Sequence, residues 1–251
     1  MKHTEKYFTK FHDSDASRLL RPSAIFTYMQ ETANMQFFRN NMSLEKIRDE
    51  KGLAFILSRM AVDIYEPIRP FEEIDVSTWT CPSKGYVFNR CFEICSHGRV
   101  VAQSESVWAL LRLDTHKIER IESTDFMGLF ENEPMIETDM PIRFRITEPE
   151  KLEKVAERKI LYSDIDYNMH MNNTHYPDML CDYIPGMEKR TVTGMSFAWM
   201  QEAHYGATVD IYRIEAEDEP GTFFFRICGE NDTVPKIEAK IKTIYTDDIR
   251  E

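Results

Sequence analysis

In the stretch SDIDYNMHMNN, residues 163–173, Asp166, Asn168 and His170 stand at alternate positions. A carboxylate, a carboxamide and an imidazole offer three different kinds of hydrogen bonding. Held around one carbonyl, such groups could orient a water, accept its proton and polarise the carbonyl oxygen. In an extended chain all three point to one side, spaced about 6–7 Å per pair. Ile165, Tyr167 and Met169 would then anchor the opposite side to the core. The same residues also suit a turn followed by a helix cap, since Asp and Asn favour both. Asn172 or Asn173 would cap a helix over roughly 173–184, with Pro177 tolerated in its first turn. The first amides of that helix make a natural oxyanion site.

The elements that must position these groups are written twice. FHDSD at 11–15 resembles YSDID at 162–166, an offset of 151, and 59–76 lies without gaps over 194–211, an offset of 135. Each half opens with a short extended stretch and continues into a helix. In the first half the helix covers roughly 22–41. Pro22 suits its first turn, and Ile25, Met29, Thr32, Ala33 and Gln36 trace one face that Phe26, Phe37 and Phe38 broaden. Strand-like segments follow at 53–66, 73–81, 86–96 and 99–114, and again at 194–203, 208–217, 222–230 and 236–248. One helix wrapped by an antiparallel sheet, occurring twice, is an α+β architecture. The division expected is a first domain over 1–122, a linker over 123–155 and a second domain over 156–251.

The rest of the chain narrows the function. With 42% hydrophobic and 29% charged residues it has an ordinary globular composition. No run of about 18 apolar residues is present to cross a membrane, and no apolar segment near the start reads as a secretory signal. Five cysteines show neither a disulfide framework nor zinc-ligand spacing, so no metal is expected and a reducing cytoplasm is the simplest setting. A net charge of −12 argues against nucleic acid and anionic membranes as partners. Arg18 with Arg21, and Lys46, Arg48 and Lys51 in KIRDEK, read as solvated faces or as a local docking patch.

The strings YSDIDYNMHMNNTHYPDML at 162–180 and WMQEAHYGA at 199–207 resemble the acyl-acyl-carrier-protein thioesterases of fatty-acid synthesis. That family carries Asp-x-Asn-x-His followed by x-Asn-Asn-x-x-Tyr, here Asp166, Asn168, His170, Asn172, Asn173 and Tyr176. The resemblance covers about residues 5–246. It implies a tandem, or double, hot dog fold, and it adds Glu202 from the second-half sheet to the site. The family's Cys after that Glu is Ala203 here, which excludes a Cys–His nucleophile. No plant-type transit segment is seen, which suits a bacterial-type cytoplasmic enzyme.

The resemblance implies hydrolysis of acyl-acyl carrier protein (acyl-ACP) with no cofactor. Glu202 would act as general base or water orienter and Asn168 would position water or carbonyl. His170 would donate to the leaving sulfur, and Asp166 would hold Asn168 or the helix start. Burial of Glu202 would help it act near neutral pH. In the overlays Ser17, Leu19 and Pro67 take the places of Asn168, His170 and Glu202. One site is therefore expected, in the second half, with the Met- and Phe-rich first helix lining an acyl tunnel. The implied partner is acyl carrier protein bearing a phosphopantetheine-linked chain, and the enzyme could be a monomer or a homodimer. An acyl-CoA thioesterase, a non-catalytic acyl-thioester sensor and a hot dog dehydratase remain as alternatives.

Overall fold

The computed structural model describes residues 2–246 apart from 125, 127–132, 147, 231 and 233. The first half contains β1 (His3–Phe8), α1 (Pro22–Arg39), α2 (Leu44–Lys51), β2 (Leu53–Ile64), β3 (Glu73–Thr80), β4 (Phe88–Ser96), β5 (Arg99–Arg112) and β6 (Lys117–Glu119). The second contains β7 (Glu153–Lys159), α3 (Tyr176–Cys181), β8 (Arg190–Trp199), β9 (Thr208–Glu215), β10 (Thr222–Gly229) and β11 (Ile237–Tyr245). All the strands join one antiparallel sheet in the order β1-β3-β4-β5-β2-β8-β11-β10-β9-β7, with β6 paired to β5. The order reads alike from either end: β7, β9, β10, β11 and β8 repeat β1, β3, β4, β5 and β2. This is the α+β tandem hot dog plan.

The offsets read in the sequence hold in the backbone. β3 and β9 coincide residue for residue at 135. The 3-10 turns Phe11–Asp13 and Tyr162–Asp164 coincide at 151. So do the bridges Ser14–Leu20 and Ile165–Met171, and the positive φ angles of Arg18 (62°) and Met169 (67°). Each bridged turn is tied to the chain after the central strand by matching bonds, Leu20 N to Ile68 O (2.7 Å) and Met171 N to Ala203 O (2.8 Å).

β2 and β8 meet at the centre in the register Arg59–Ala198 through Asp63–Gly194. Met60, Val62, Met195 and Phe197 are buried there in one apolar cluster drawn from both halves. Segment 133–146 of the expected linker runs past this seam. The Asp63 carboxylate accepts the N–H groups of Asp139 (2.6 Å) and Met140 (3.0 Å). A Cβ at position 194 would lie 2.5 Å from the Met140 side chain, so glycine there leaves room for it. Other linker positions, 125, 127–132 and 147, fall outside the described residues, as do 247 and 248 of the last expected strand.

Several elements depart from expectation. Phe38 is not part of the α1 face: it is 63% exposed, whereas Ile25, Phe26, Met29, Thr32, Ala33, Gln36 and Phe37 are buried. Phe26 and Met29 are closed into the core rather than lining an open channel. The KIRDEK stretch lies within α2, an unanticipated helix capped by Ser43, which accepts from Lys46 N, and ended by Gly52 at φ 63°. Only Ile47 of α2 is buried, so the helix has almost no apolar periodicity to read. β7 starts at Glu153, inside the segment read as linker, and its sequence EKVAERK is charged as befits an edge strand. α3 has six residues preceded by a 3-10 turn, shorter than 173–184. No described helix is long and apolar enough to cross a membrane.

Candidate active site

Residues 165–171 do not form the strand that their alternation suggests. The chain turns back on itself: Met169 N donates to Asp166 O (3.0 Å) and Asp166 N to His170 O (3.1 Å). The Asp166 side chain accepts Asn168 N at 2.8 Å, an Asx-type turn that stiffens the loop. Met169 takes the left-handed conformation that closes it. Tyr167 and Met169, expected as core anchors, are 66% and 55% exposed. The anchoring falls to Ile165, packed against the core, and Met171, which is buried. Below the turn, buried Asp164 accepts Leu161 N (2.8 Å) and pairs with Arg158 at 2.5 Å.

Asp166 does the same work as a residue in the first half. Asp15, its counterpart at offset 151, accepts Ser17 N (2.8 Å) and Leu19 N (3.0 Å) across an equivalent turn that carries no Asn or His. An aspartate conserved between a turn with the polar pair and one without it builds the turn itself.

Glu202 is carried on a loop, not on the sheet. β8 ends at Trp199, and Met200 N and Gln201 N both donate to Lys236 O (2.8 and 3.1 Å). Lys236 Nζ donates to Glu202 O (3.2 Å), fixing the loop from the β11 side. The loop reaches the turn through Met171 N to Ala203 O (2.8 Å), Tyr205 N to Met169 O (3.2 Å) and a bridge between His170 and His204. These ties bring Glu202 Oε1 to 3.4 Å from His170 Nε2. His204 Nε2 lies 3.9 Å from the other carboxylate oxygen, and the two imidazoles meet edge to face at 5.6 Å. The Glu202 side chain is 47% exposed.

The sequence reading missed Arg48. Its Nη1 donates to Asn168 Oδ1 at 2.8 Å, and its guanidinium sits 5.7 Å from the centre of the Tyr167 ring. Arginine offers only donors, so it fixes the carboxamide with its oxygen inward and leaves the Nδ2 hydrogens for another acceptor. This contact crosses from α2 of the first half to the turn of the second. Nothing in KIRDEK marks Arg48 apart from the neighbouring charges.

The expected oxyanion site at the helix start is partly occupied. Asn172 Oδ1 accepts both Thr174 N and Thr174 Oγ1 at 3.0 Å, and Asn172 O accepts His175 N at 3.0 Å. Asn172 is therefore the cap. Ala203 is buried and carries no nucleophile. Among the described residues no group of His, Cys, Asp and Glu is arranged to hold a metal.

Two family models together cover most of the chain. "Acyl-ACP thioesterase N-terminal domain" matches residues 1–128 and "Acyl-ACP thioesterase C-terminal domain" matches 147–247. The chain belongs to the acyl-ACP thioesterase family. Among curated relatives, an oleoyl-acyl carrier protein thioesterase of Arabidopsis thaliana is 22% identical over 245 residues, covering 90% of this chain and 66% of the relative. A palmitoyl-acyl carrier protein thioesterase of the same plant is 24% identical over 166 residues, covering 61% of this chain and 39% of the relative. The chain thus spans at most about two thirds of the length of these two relatives. The same fold occurs in an acyl-ACP thioesterase from Bacteroides thetaiotaomicron, with a TM-score of 0.83, 20% identity and coverage of 97% and 98% of the two chains. It also occurs in a 12:0-ACP thioesterase from Umbellularia californica, with a TM-score of 0.85, 13% identity and 98% coverage of each. In this chain the turn and the Glu202 loop bring together the side chains of His170, Glu202 and His204.

Proposed function

We propose that the chain hydrolyses the thioester of an acyl chain carried on acyl carrier protein, releasing free fatty acid and the carrier thiol. The observation that carries this reading is the approach of Glu202 to 3.4 Å from His170, whose turn also holds Asn168. Asn168 Nδ2 donates to the thioester oxygen as negative charge develops there. Glu202 accepts a proton from the attacking water, whose oxygen bonds to the carbonyl carbon. When the carbon–sulfur bond breaks, His170 gives a proton to the departing thiolate and regains one from the protonated Glu202 beside it, which restores both groups. Asp166 positions the turn. The site lies in the second domain, and with Ala203 in place of the family's Cys no thiol takes part.

The partner proposed is acyl carrier protein, with an acyl-CoA thioesterase as the competing reading. One acyl chain offered on each carrier separates them. The expected result is a higher kcat/KM on acyl carrier protein; a large preference for acyl-CoA would overturn the assignment.

Arg48 is a positioning residue in this scheme. Arg48→Ala is expected to lower kcat by roughly 10–100-fold, the loss of one charge-assisted hydrogen bond. KM should change little and Arg48→Lys should restore part of kcat, because a lysine can still donate to Asn168. An equal loss in both variants, accompanied by a lowered melting temperature, would make Arg48 merely structural.

A further inference from the structure

The first-half counterpart of the candidate catalytic turn borders a cavity. Its volume of about 610 Å³ is within the range of small-molecule sites. Its wall includes Asp15, Leu19, Pro67, Ile68 and Arg69. At offsets 151 and 135 these are the counterparts of Asp166, His170, Glu202, Ala203 and His204. Its far side comes from the second half, through Met187, Val192 and Ile244, as the far side of the catalytic turn comes from α2.

The chemistry of this cavity is inverted. The hydrolytic carboxylate is replaced by Pro67 and the imidazole of His170 by buried Leu19, giving an apolar wall with Leu20 and Ile68. Position 204, a histidine beside a carboxylate, becomes Arg69. Arg69 also borders an adjoining recess of about 500 Å³ with Arg18 and Lys189, against one acid, Glu188. Arg18, Arg69 and Lys189 are exposed and form no ion pair among the described residues. The acids of the larger cavity are engaged: Glu66 with Arg99 (2.9 Å), Glu72 with Ser96 (3.0 Å), and Asp15 with its own turn. A chamber with one apolar wall, the unpaired Arg69 on its rim, Arg18 and Lys189 in the adjoining recess, and carboxylates that are each hydrogen-bonded or ion-paired complements a long-chain carboxylate.

We propose that this cavity binds free fatty acid, the product class of the reaction proposed above, at a second site where no hydrolysis occurs. The product identity rests on that reading; the binding does not require turnover. The test titrates the full-length protein with carboxyl-¹³C palmitate followed by NMR, and separately with its uncharged methyl ester. Saturable binding is expected, weakened about tenfold or more by Arg69→Gln and by the ester, as loss of a charge-assisted contact implies. Leu19→Trp, which fills the chamber, should abolish binding, whereas Glu202→Gln should leave it intact. Palmitate binding that survives both Arg69→Gln and Leu19→Trp, or that responds instead to substitutions in the catalytic turn, would overturn the proposal. So would the absence of saturation. Binding at Arg69 in a protein that fails to hydrolyse acyl-ACP would sink the proposed activity and leave the site standing.

Discussion

Glu202→Gln is expected to lower kcat for acyl-ACP hydrolysis by about 10²–10⁴-fold, the range of a lost general base. Glutamine keeps the shape and still hydrogen-bonds toward His170, but it cannot take a proton from water. KM should stay within a few-fold, because in the proposed mechanism the carboxylate serves the attacking water and not the acyl chain. Stability should hardly change: the side chain is 47% exposed, and such pairs contribute about 0–1 kcal/mol. Activity within a few-fold of the parent would remove Glu202 from the mechanism, whereas a parent that binds the acyl thioester without turnover would favour the acyl-thioester sensor reading. Single-turnover hydrolysis in ¹⁸O-labelled water addresses direct attack by Asp166 or Glu202. Label appearing in an enzyme carboxylate would replace water attack by an anhydride route.

Phe197→Ala should be the most damaging single change to the fold, costing about 3–5 kcal/mol. The ring is fully buried on β8, stacked on Trp199 with centroids 5.1 Å apart and edge-on to Phe26 of α1 at 5.5 Å. It also stands opposite Met60 across the β2–β8 seam. Its removal opens a void that helix, sheet and seam all border, and a close-packed core relaxes only partly into such a gap. For a chain of this length the loss corresponds to roughly 6–20 °C in melting temperature. Because one core runs through both halves, the parent and the variant should each unfold in a single transition in urea. Separate transitions for the two halves, or a loss under about 1 kcal/mol, would show that the seam is not the centre of the core. Phe197→Leu, which keeps most of the volume, should cost far less.

The doubled architecture was legible because repetition does not depend on any one propensity. Two offsets, 151 and 135, placed turns, bridges and strands that the backbone repeats in detail. The residues of the site were legible as a string, but their geometry was not. Alternation at 164–170 imitates a strand, and only the Asp166 side chain accepting Asn168 N, with Met169 left-handed, turns it back. Period alone cannot see a turn stabilised by a side chain. Glu202 was found through resemblance; that it sits on a loop beyond Trp199 depends on Lys236, a residue 34 positions later. Arg48 was hidden for a related reason. Its helix buries one residue, and its partner lies 120 positions away in the other half.

The seam has a consequence for how such a protein can change over generations. In a pair of identical subunits every substitution is made twice, so a helix that supplies an arginine to one cleft supplies it to both. Here the two faces across β2 and β8 are encoded separately. Arg48 could be acquired opposite Asn168 without an arginine appearing near Arg69, and Glu202 could be kept while position 67 became proline. Joining the halves in one chain lets the two turns change independently of each other.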